Sequence, residues 1–364
     1  MEMNICNHTI VYVSAHNPET DLGVTKKIEG FCAAARKKGY KTIIINRYCH
    51  TNDDRKELLH EAMLTDARFF FLRSFGSENR VFRKELFKAK QQGRVLILDQ
   101  PTPMSSQIHE IMMSESSIVR KVYHVLRLCL NGPWGQLPFD KIIQYAEESR
   151  YFSLFNRKRT LLMGNGINID RIHLRTEEDD DPYTLRLVGV AANVNQWHGF
   201  DRIIRAMGEW KRRERVPKIK FDVVGRLSNQ SLQMLAKDCD VQDDVIFYGP
   251  REIEFINSLL CRDNLAVGSL GLYRNGLSTS SVLKVREYCL AGIPFIAAGN
   301  DPDFPNEVPF RFVIPNNDSI EPILQVFMTF YKRRKLFTNE DIHNYALDNL
   351  TFDAKFCQII GDFV

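Results

Sequence analysis

The chain has 364 residues, 44% hydrophobic and 26% charged, with a mean hydropathy of −0.27, which is the composition of a globular protein long enough for two domains with a core each. A formal net charge of +4 and a pI near 8.5 are too weakly basic to argue for a nucleic-acid partner. No apolar run reaches the roughly 18–20 residues of a membrane-spanning helix, and the N-terminus MEMNICNHTIVYVSA lacks a basic segment followed by a cleavage site, so a cytoplasmic location is expected.

In chain order, TIVYVSA (9–15) predicts a strand, followed by a helix over 23–38, strand KTIIINR, a helix over 55–64, strand ARFFFLRS, a helix over 79–92 and strand RVLILDQP. Next come strand DKIIQYA, a helix over 147–155 and TLLMGNGI (160–167). Between them, SIVRKVYHVLRLCL (117–130) mixes Arg120, Lys121, His124 and Arg127 with apolar residues. It suits either a domain helix with one buried face, the simpler reading, or a helix lying on an anionic membrane. The acidic run ending in Pro182 has the character of a linker. Strand LRLVGVA opens a second half, with a helix over 200–213, strand KIKFDVVG, a helix over 230–239, strand DVIFYG, a helix over 252–260 and strand LAVGSLG. A helix from about 280, strands PFIAAG and FRFVIP, and two terminal helices complete it. Alternating strands and helices imply parallel Rossmann-like sheets, whose ligands bind outside the carboxyl ends of the strands. The eight cysteines show no C-x-x-C pair and no zinc spacing, so reduced thiols and no structural metal are expected.

At about 100° per residue, Ser280, Lys284 and Glu287 fall on one face of the helix from 280, and Val282, Val285 and Cys289 on another. Gly292 and Pro294 stop the helix, and a loop rich in Gly, Asn and hydroxyl residues leads into it. Such a start offers backbone N–H groups and a positive dipole end to an anion.

Ser280-Ser281-x-Leu283-Lys284-x-Arg286-Glu287-Tyr288 with Gly292-x-Pro294 resembles the nucleotide-sugar signature of glycosyltransferase family 4, in the branch that builds bacterial capsular and other surface polysaccharides. Trp197-His198-Gly199-Phe200-Asp201-Arg202, the strand ends at Gly225-Arg226 and Gly249, and Gly164-Asn165-Gly166-Ile167 are similar to the same family. The resemblance implies the GT-B fold, two Rossmann-like domains facing across a cleft. It places an N-terminal acceptor domain at 1–176, a linker at 177–183, a nucleotide-sugar domain at 184–335, and helices at 336–364 that return toward the first domain. It implies transfer of a sugar from a nucleoside diphosphate donor to a glycan or lipid-linked acceptor, usually with retention and without an essential metal.

Carried onto this chain, the resemblance makes Glu287 the ribose ligand, with Lys284 facing the diphosphate. The amides of Gly276 and Leu277 and the hydroxyls of Ser280 and Ser281 add donors, although N-capping suits those serines equally. The family's first motif glutamate falls on Thr279, and its Arg-x4-Lys pair on Asn193 and His198. Protonated His198, Lys284 and Arg226 would then neutralise the diphosphate. Acceptor candidates are Gly23, Arg73, Asp99 in the turn D-Q-P-T-P, and His109 beside Glu110. A GT-B epimerase and a non-catalytic nucleotide-sugar-binding protein are the alternative readings.

Overall fold

The computed structural model describes residues 6–73, 82–114, 116–170, 172–175, 181–304 and 308–363. The chain forms two compact units, Met1–Gly166 with Lys355–Val364, and Ile167–Ala354. This division lies about ten residues before the acidic stretch that the sequence marks as a linker, because Ile167 and Ile172 are already buried in the core of the second unit. Of that stretch, 177–180 lie outside the described residues.

In the first unit, β1 (Cys6–Ser14), β2 (Lys41–Asn46), β3 (Ala67–Arg73), β4 (Val95–Asp99), β5 (Lys141–Gln144) and β6 (Thr160–Leu162) form a parallel sheet in the order β2-β1-β3-β4-β5-β6. Phe69, Phe70 and Phe71 are all buried, as expected for a parallel strand covered on both faces. Helices α1 (Leu22–Lys37), α2 (Asn52–Met63), α3 (Arg83–Gln91), α4 (Met104–Met113) and α5 (Ile118–Gly135) connect the strands.

The second unit contains β7 (Thr184–Val194), β8 (Lys218–Leu227), β9 (Val245–Gly249), β10 (Leu265–Val267), β11 (Phe295–Ala298) and β12 (Arg311–Ile314), all parallel, in the order β12-β11-β10-β7-β8-β9. Its helices are α6 (Phe200–Arg212), α7 (Ser231–Asp238), α8 (Ile253–Arg262), α9 (Leu283–Leu290), α10 (Glu321–Arg334) and α11 (Asn339–Asn349), while most of α12 (Phe352–Ile360) belongs to the first unit. In α6, Ile203, Ile204, Met207 and Trp210 are buried at helical spacing, which fixes that helix on the sheet. The strand order reverses between β1 and β3 in one sheet and between β7 and β10 in the other, and such switch points open crevices at the carboxyl edge.

Three sequence expectations are corrected. Residues 147–155 form turns rather than a helix, because the Glu148 carboxylate turns to accept the Met104 and Ser105 N–H groups at 2.5 and 3.0 Å and caps α4. The chain ends in three helices rather than two. The helix expected from 280 begins only at Leu283, because the preceding segment is strapped as extended chain: Thr279 bridges to Asn300, and the Ser280 N–H donates to the Asn300 carbonyl at 2.9 Å.

Candidate active site

At the carboxyl edge of the second sheet, a short 3-10 turn, Gln196–His198, leads from β7 into α6. The loop after β10 is tied to that turn, with the Leu270 N–H donating to the His198 carbonyl at 3.0 Å and the Gly271 N–H to the Trp197 carbonyl at 3.1 Å. Lys284, in the first turn of α9, lies at this switch point. Its Nζ donates to the Gly268 carbonyl at 2.9 Å and sits 5.0 Å from the centroid of the Phe200 ring. The residue is only 9% exposed, and no carboxylate pairs with it among the described residues. Burial pulls the ammonium down from the ordinary 10.5 to about 7. A buried cation held by one carbonyl and one ring face lacks a counter-charge.

His198 stacks on Trp197 with ring centroids 4.4 Å apart and is itself buried. Its Nδ1 lies 3.0 Å from the Asn195 backbone nitrogen and 3.2 Å from the Asn195 carbonyl oxygen. Burial, and then the nearby Lys284 charge, lower the imidazole to about 3. The expected cationic role for His198 is therefore corrected: the ring is neutral at pH 7 and can offer only a neutral N–H. Asn193 and Arg226 face each other across β7 and β8, and both are exposed. Gly225 permits this pairing, since at its φ of +137° a Cβ would stand 1.8 Å from the Ala191 carbonyl oxygen. A cavity of about 610 Å³ opens beside these strand ends, lined by Asn195, Trp197, Asp201, Leu227, Asn229 and Arg274 among others.

Glu287 lies one turn beyond Lys284 and is half-buried. Ser280 and Ser281 precede α9 in extended chain rather than sharing a helical face with it, and Val282 takes the cap position without a side-chain cap bond. The Gly276 and Leu277 amides are not available as expected, because they already donate to the Tyr273 and Leu272 carbonyls at 3.0 and 3.1 Å. The motif residue Arg286 is structural: it is fully buried and forms ion pairs with Asp301 at 2.5 Å and Asp303 at 2.7 Å.

In the first unit, the ends of β3 and β4 place Arg73 beside Asp99. Asp99 is 2% exposed, and both of its oxygens are engaged by neighbouring side chains. Its Oδ2 accepts the Tyr12 hydroxyl and the Arg73 guanidinium, the latter at 2.6 Å, and its Oδ1 accepts the Lys27 ammonium at 2.8 Å. Burial by itself would raise this carboxyl, but Arg73 and Lys27, helped by the Tyr12 hydroxyl, hold it well below the usual range. The expected direct contact of Asp99 with an acceptor is corrected accordingly: Asp99 anchors two cations. Lys27 and Tyr12 carry no local sequence signal, since they meet Asp99 only through the fold. His109 and Glu110 are exposed on α4.

Gly23 is not a turn glycine but lies in the first turn of α1, and a Cβ there would meet nothing within 4 Å. Gly23→Ala is therefore expected to stabilise the protein by about 0.5–1 kcal/mol in chemical denaturation, through helix propensity. A loss of stability would mean that the chain itself needs the glycine.

Two parallel Rossmann-like sheets in these strand orders, each with a crevice at its switch point, give the chain the GT-B fold. No family model matches the sequence, and no curated protein is significantly similar to it. Solved structures align along nearly the whole chain. Sucrose-phosphate synthase from Thermosynechococcus elongatus is 12% identical, with 98% of each chain covered and a TM-score of 0.60. The catalytic domain of starch synthase IV from Arabidopsis thaliana, bound to ADP and acarbose, is 9% identical, with 97% of this chain and 98% of that one covered and a TM-score of 0.61. A lipopolysaccharide outer core galactosyltransferase is 9% identical, with 98% of this chain and 100% of that one covered and a TM-score of 0.58. At these identities the likeness is one of fold.

Proposed function

We propose that the chain is a glycosyltransferase of family 4 that moves a sugar from a nucleoside diphosphate sugar to a glycan or lipid-linked acceptor in surface polysaccharide assembly, with retention and without an essential metal. The observation that carries this reading is Lys284, a buried ammonium at the switch point that pairs with no carboxylate among the described residues. A donor diphosphate supplies the missing charge. As the sugar–phosphate bond breaks, negative charge grows on the leaving diphosphate, and a desolvated cation already in place stabilises it more than a hydrated one would. A ring N–H of His198, Arg226, Asn193 and the Ser280 and Ser281 hydroxyls supply further donors. Glu287 accepts from the ribose hydroxyls, and the leaving phosphate takes the acceptor proton. Leu277 borders the donor with its side chain and Gly276 with its Cα, rather than through their amides. The starch synthase neighbour holds ADP, a ligand of the chemistry proposed here.

The test is mass-spectrometric product analysis of a panel of nucleoside diphosphate sugars, incubated with and without glycan and lipid-extract acceptors. The expected products are nucleoside diphosphate and an acceptor enlarged by one sugar. Sugar interconversion without acceptor would point to an epimerase, and binding without turnover to a non-catalytic protein.

Peripheral membrane contact belongs to the same proposal, with α5 as its surface. Ile118 and Val119 are each 79% exposed, and Val122, Tyr123, Leu126, Leu130 and Trp134 continue the same stripe. Arg120, His124 and Arg127 follow along one edge, an arrangement suited to an anionic bilayer. Co-sedimentation with vesicles containing phosphatidylglycerol, but not with pure phosphatidylcholine, is expected. The Val122→Glu/Leu126→Glu double variant should lose it, with a stability change within about 0.5 kcal/mol per site, as for exposed positions. Equal sedimentation of both proteins would remove α5 from the account. Among the described residues, no helix is long and apolar enough to cross a membrane.

A further inference from the structure

We infer that the acceptor of the first unit carries an oxyanion, a phosphate or a carboxylate, which Lys27 and Arg73 receive while Asp99 acts as the residue that positions them. This rests on the glycosyl-transfer reading only for the role of the ligand as acceptor. The anion site itself rests on charge and geometry.

Lys27 and Arg73 both bond to one carboxylate, Asp99, and among the described residues neither pairs with a second. The other titratable groups facing the cluster do not restore the balance. Burial, and then the Asp99 charge, raise Tyr12 well above its ordinary value, so its hydroxyl stays neutral. Burial, and then Arg73, lower His16, so its imidazole is neutral at pH 7. Asp21, half-buried at the cap of α1, bears on His16 but bonds to neither cation. Among the described residues, the cluster thus holds one positive charge without a compensating carboxylate in a largely buried place, where an incoming anion is favoured.

The cluster also has donors to give. Arg73 Nε is buried without a hydrogen-bond partner, and the Lys27 ammonium keeps N–H groups beyond the one directed at Asp99. Arg73 Nε itself is shielded from solvent, and an anion would meet the Lys27 ammonium and the outer part of the Arg73 guanidinium, whose side chains are 20% and 12% exposed. Their position is the β1/β3 switch point, where an α/β sheet binds its ligand. The first turn of α1 holds no acidic residue, and Asp21 at its cap makes no side-chain bond to the helix N–H groups. By contrast, Glu148 already fills the start of α4.

The experiment uses the full chain and titrates inorganic phosphate, acetate and neutral glucose at ionic strength matched with sodium chloride, followed by thermal shift. Wild type and Lys284→Met should both be stabilised by phosphate or acetate, and the better anion names the acceptor chemistry, with no effect of glucose. In Lys27→Met, half-saturation should move up by about tenfold or more, the scale of a lost charge-assisted hydrogen bond, and Lys27→Arg should recover most of it. If Lys27→Met does not fold, the wild type still decides: phosphate should protect Lys27 from acetylation by N-hydroxysuccinimide acetate, read by mass spectrometry. No stabilisation by either anion, or a phosphate effect that survives Lys27→Met and vanishes in Lys284→Met, overturns the inference. Lys284-dependent nucleoside diphosphate binding, read on the same samples, keeps the two proposals separate. Its absence beside an intact phosphate effect sinks the glycosyl-transfer reading alone, and the reverse pattern sinks the anion site alone.

Discussion

Lys284→Met should abolish detectable nucleoside diphosphate binding while making the unliganded protein more stable. The fold holds this ammonium at about 7 instead of 10.5, a displacement equivalent to roughly 2–5 kcal/mol. Methionine keeps the length of the side chain and removes the buried charge. The pH dependence has a definite sign. Between about 7 and 10.5 the unfolded state binds more protons at this site than the folded state does, so wild-type stability rises with pH across that window. The advantage of Lys284→Met is therefore largest at and below pH 7 and shrinks as pH approaches 10. Chemical denaturation at several pH values, alongside calorimetric titration with ADP, GDP and UDP, checks both halves. A variant destabilised by more than about 1 kcal/mol at pH 7 would make Lys284 an ordinary structural residue.

Asp99→Ala should do the opposite and destabilise the first unit by about 3–5 kcal/mol, because it leaves Lys27 and Arg73 as buried neighbours without their shared carboxylate. The Tyr12 hydroxyl loses its acceptor as well. Adding Lys27→Met to this variant should recover part of the loss, since one of the two uncompensated cations is gone, and a double-mutant cycle in denaturant measures that coupling. Because the folded carboxyl lies below its ordinary value, the stability it contributes is present above the unfolded pKa, near 3.9, and fades as pH falls through the lower folded one. Neutral behaviour of Asp99→Ala would show that the cluster does not anchor the sheet edge.

Most of the fold was legible because parallel strands buried on both faces are written as short apolar runs. ARFFFLR and FIAA stand out against the helices between them, and the twelve strands among the described residues fall where such runs lie. Glu148 was not legible as a cap, since only the fold brings it to the start of α4. The shortened α9 has the same origin: helical spacing through Ser280 is sound locally, but the pairing of Thr279 with Asn300 overrides it. Thr279, which stands where the family motif has a glutamate, belongs to that strap.

The candidate site divides in a similar way. Lys284 and Glu287 were found through a motif, and what the motif could not convey was that Lys284 is buried without a counter-ion among the described residues. His198 looked like a replacement cation, and only burial beside Lys284 reveals that it is neutral. Lys27 and Tyr12 had no motif at all. In α5 the simpler sequence reading is a domain helix with one buried face, and Leu128, Gly132 and Gly135 form such a face; what the sequence does not convey is that Ile118, Val119, Val122, Tyr123, Leu126, Leu130 and Trp134 are exposed.

The most direct test of the central claim is proton uptake on donor binding. Calorimetric titration of whichever of ADP, GDP or UDP binds, repeated in two buffers of different ionisation enthalpy, counts the protons taken up. With Lys284 near 7 in the unliganded protein, binding at pH 8 should take up close to one proton and at pH 6 almost none, with affinity falling by up to about tenfold per pH unit above 7. Binding without proton uptake at pH 8, or undiminished in Lys284→Met, would contradict the assignment of this buried lysine to the donor diphosphate.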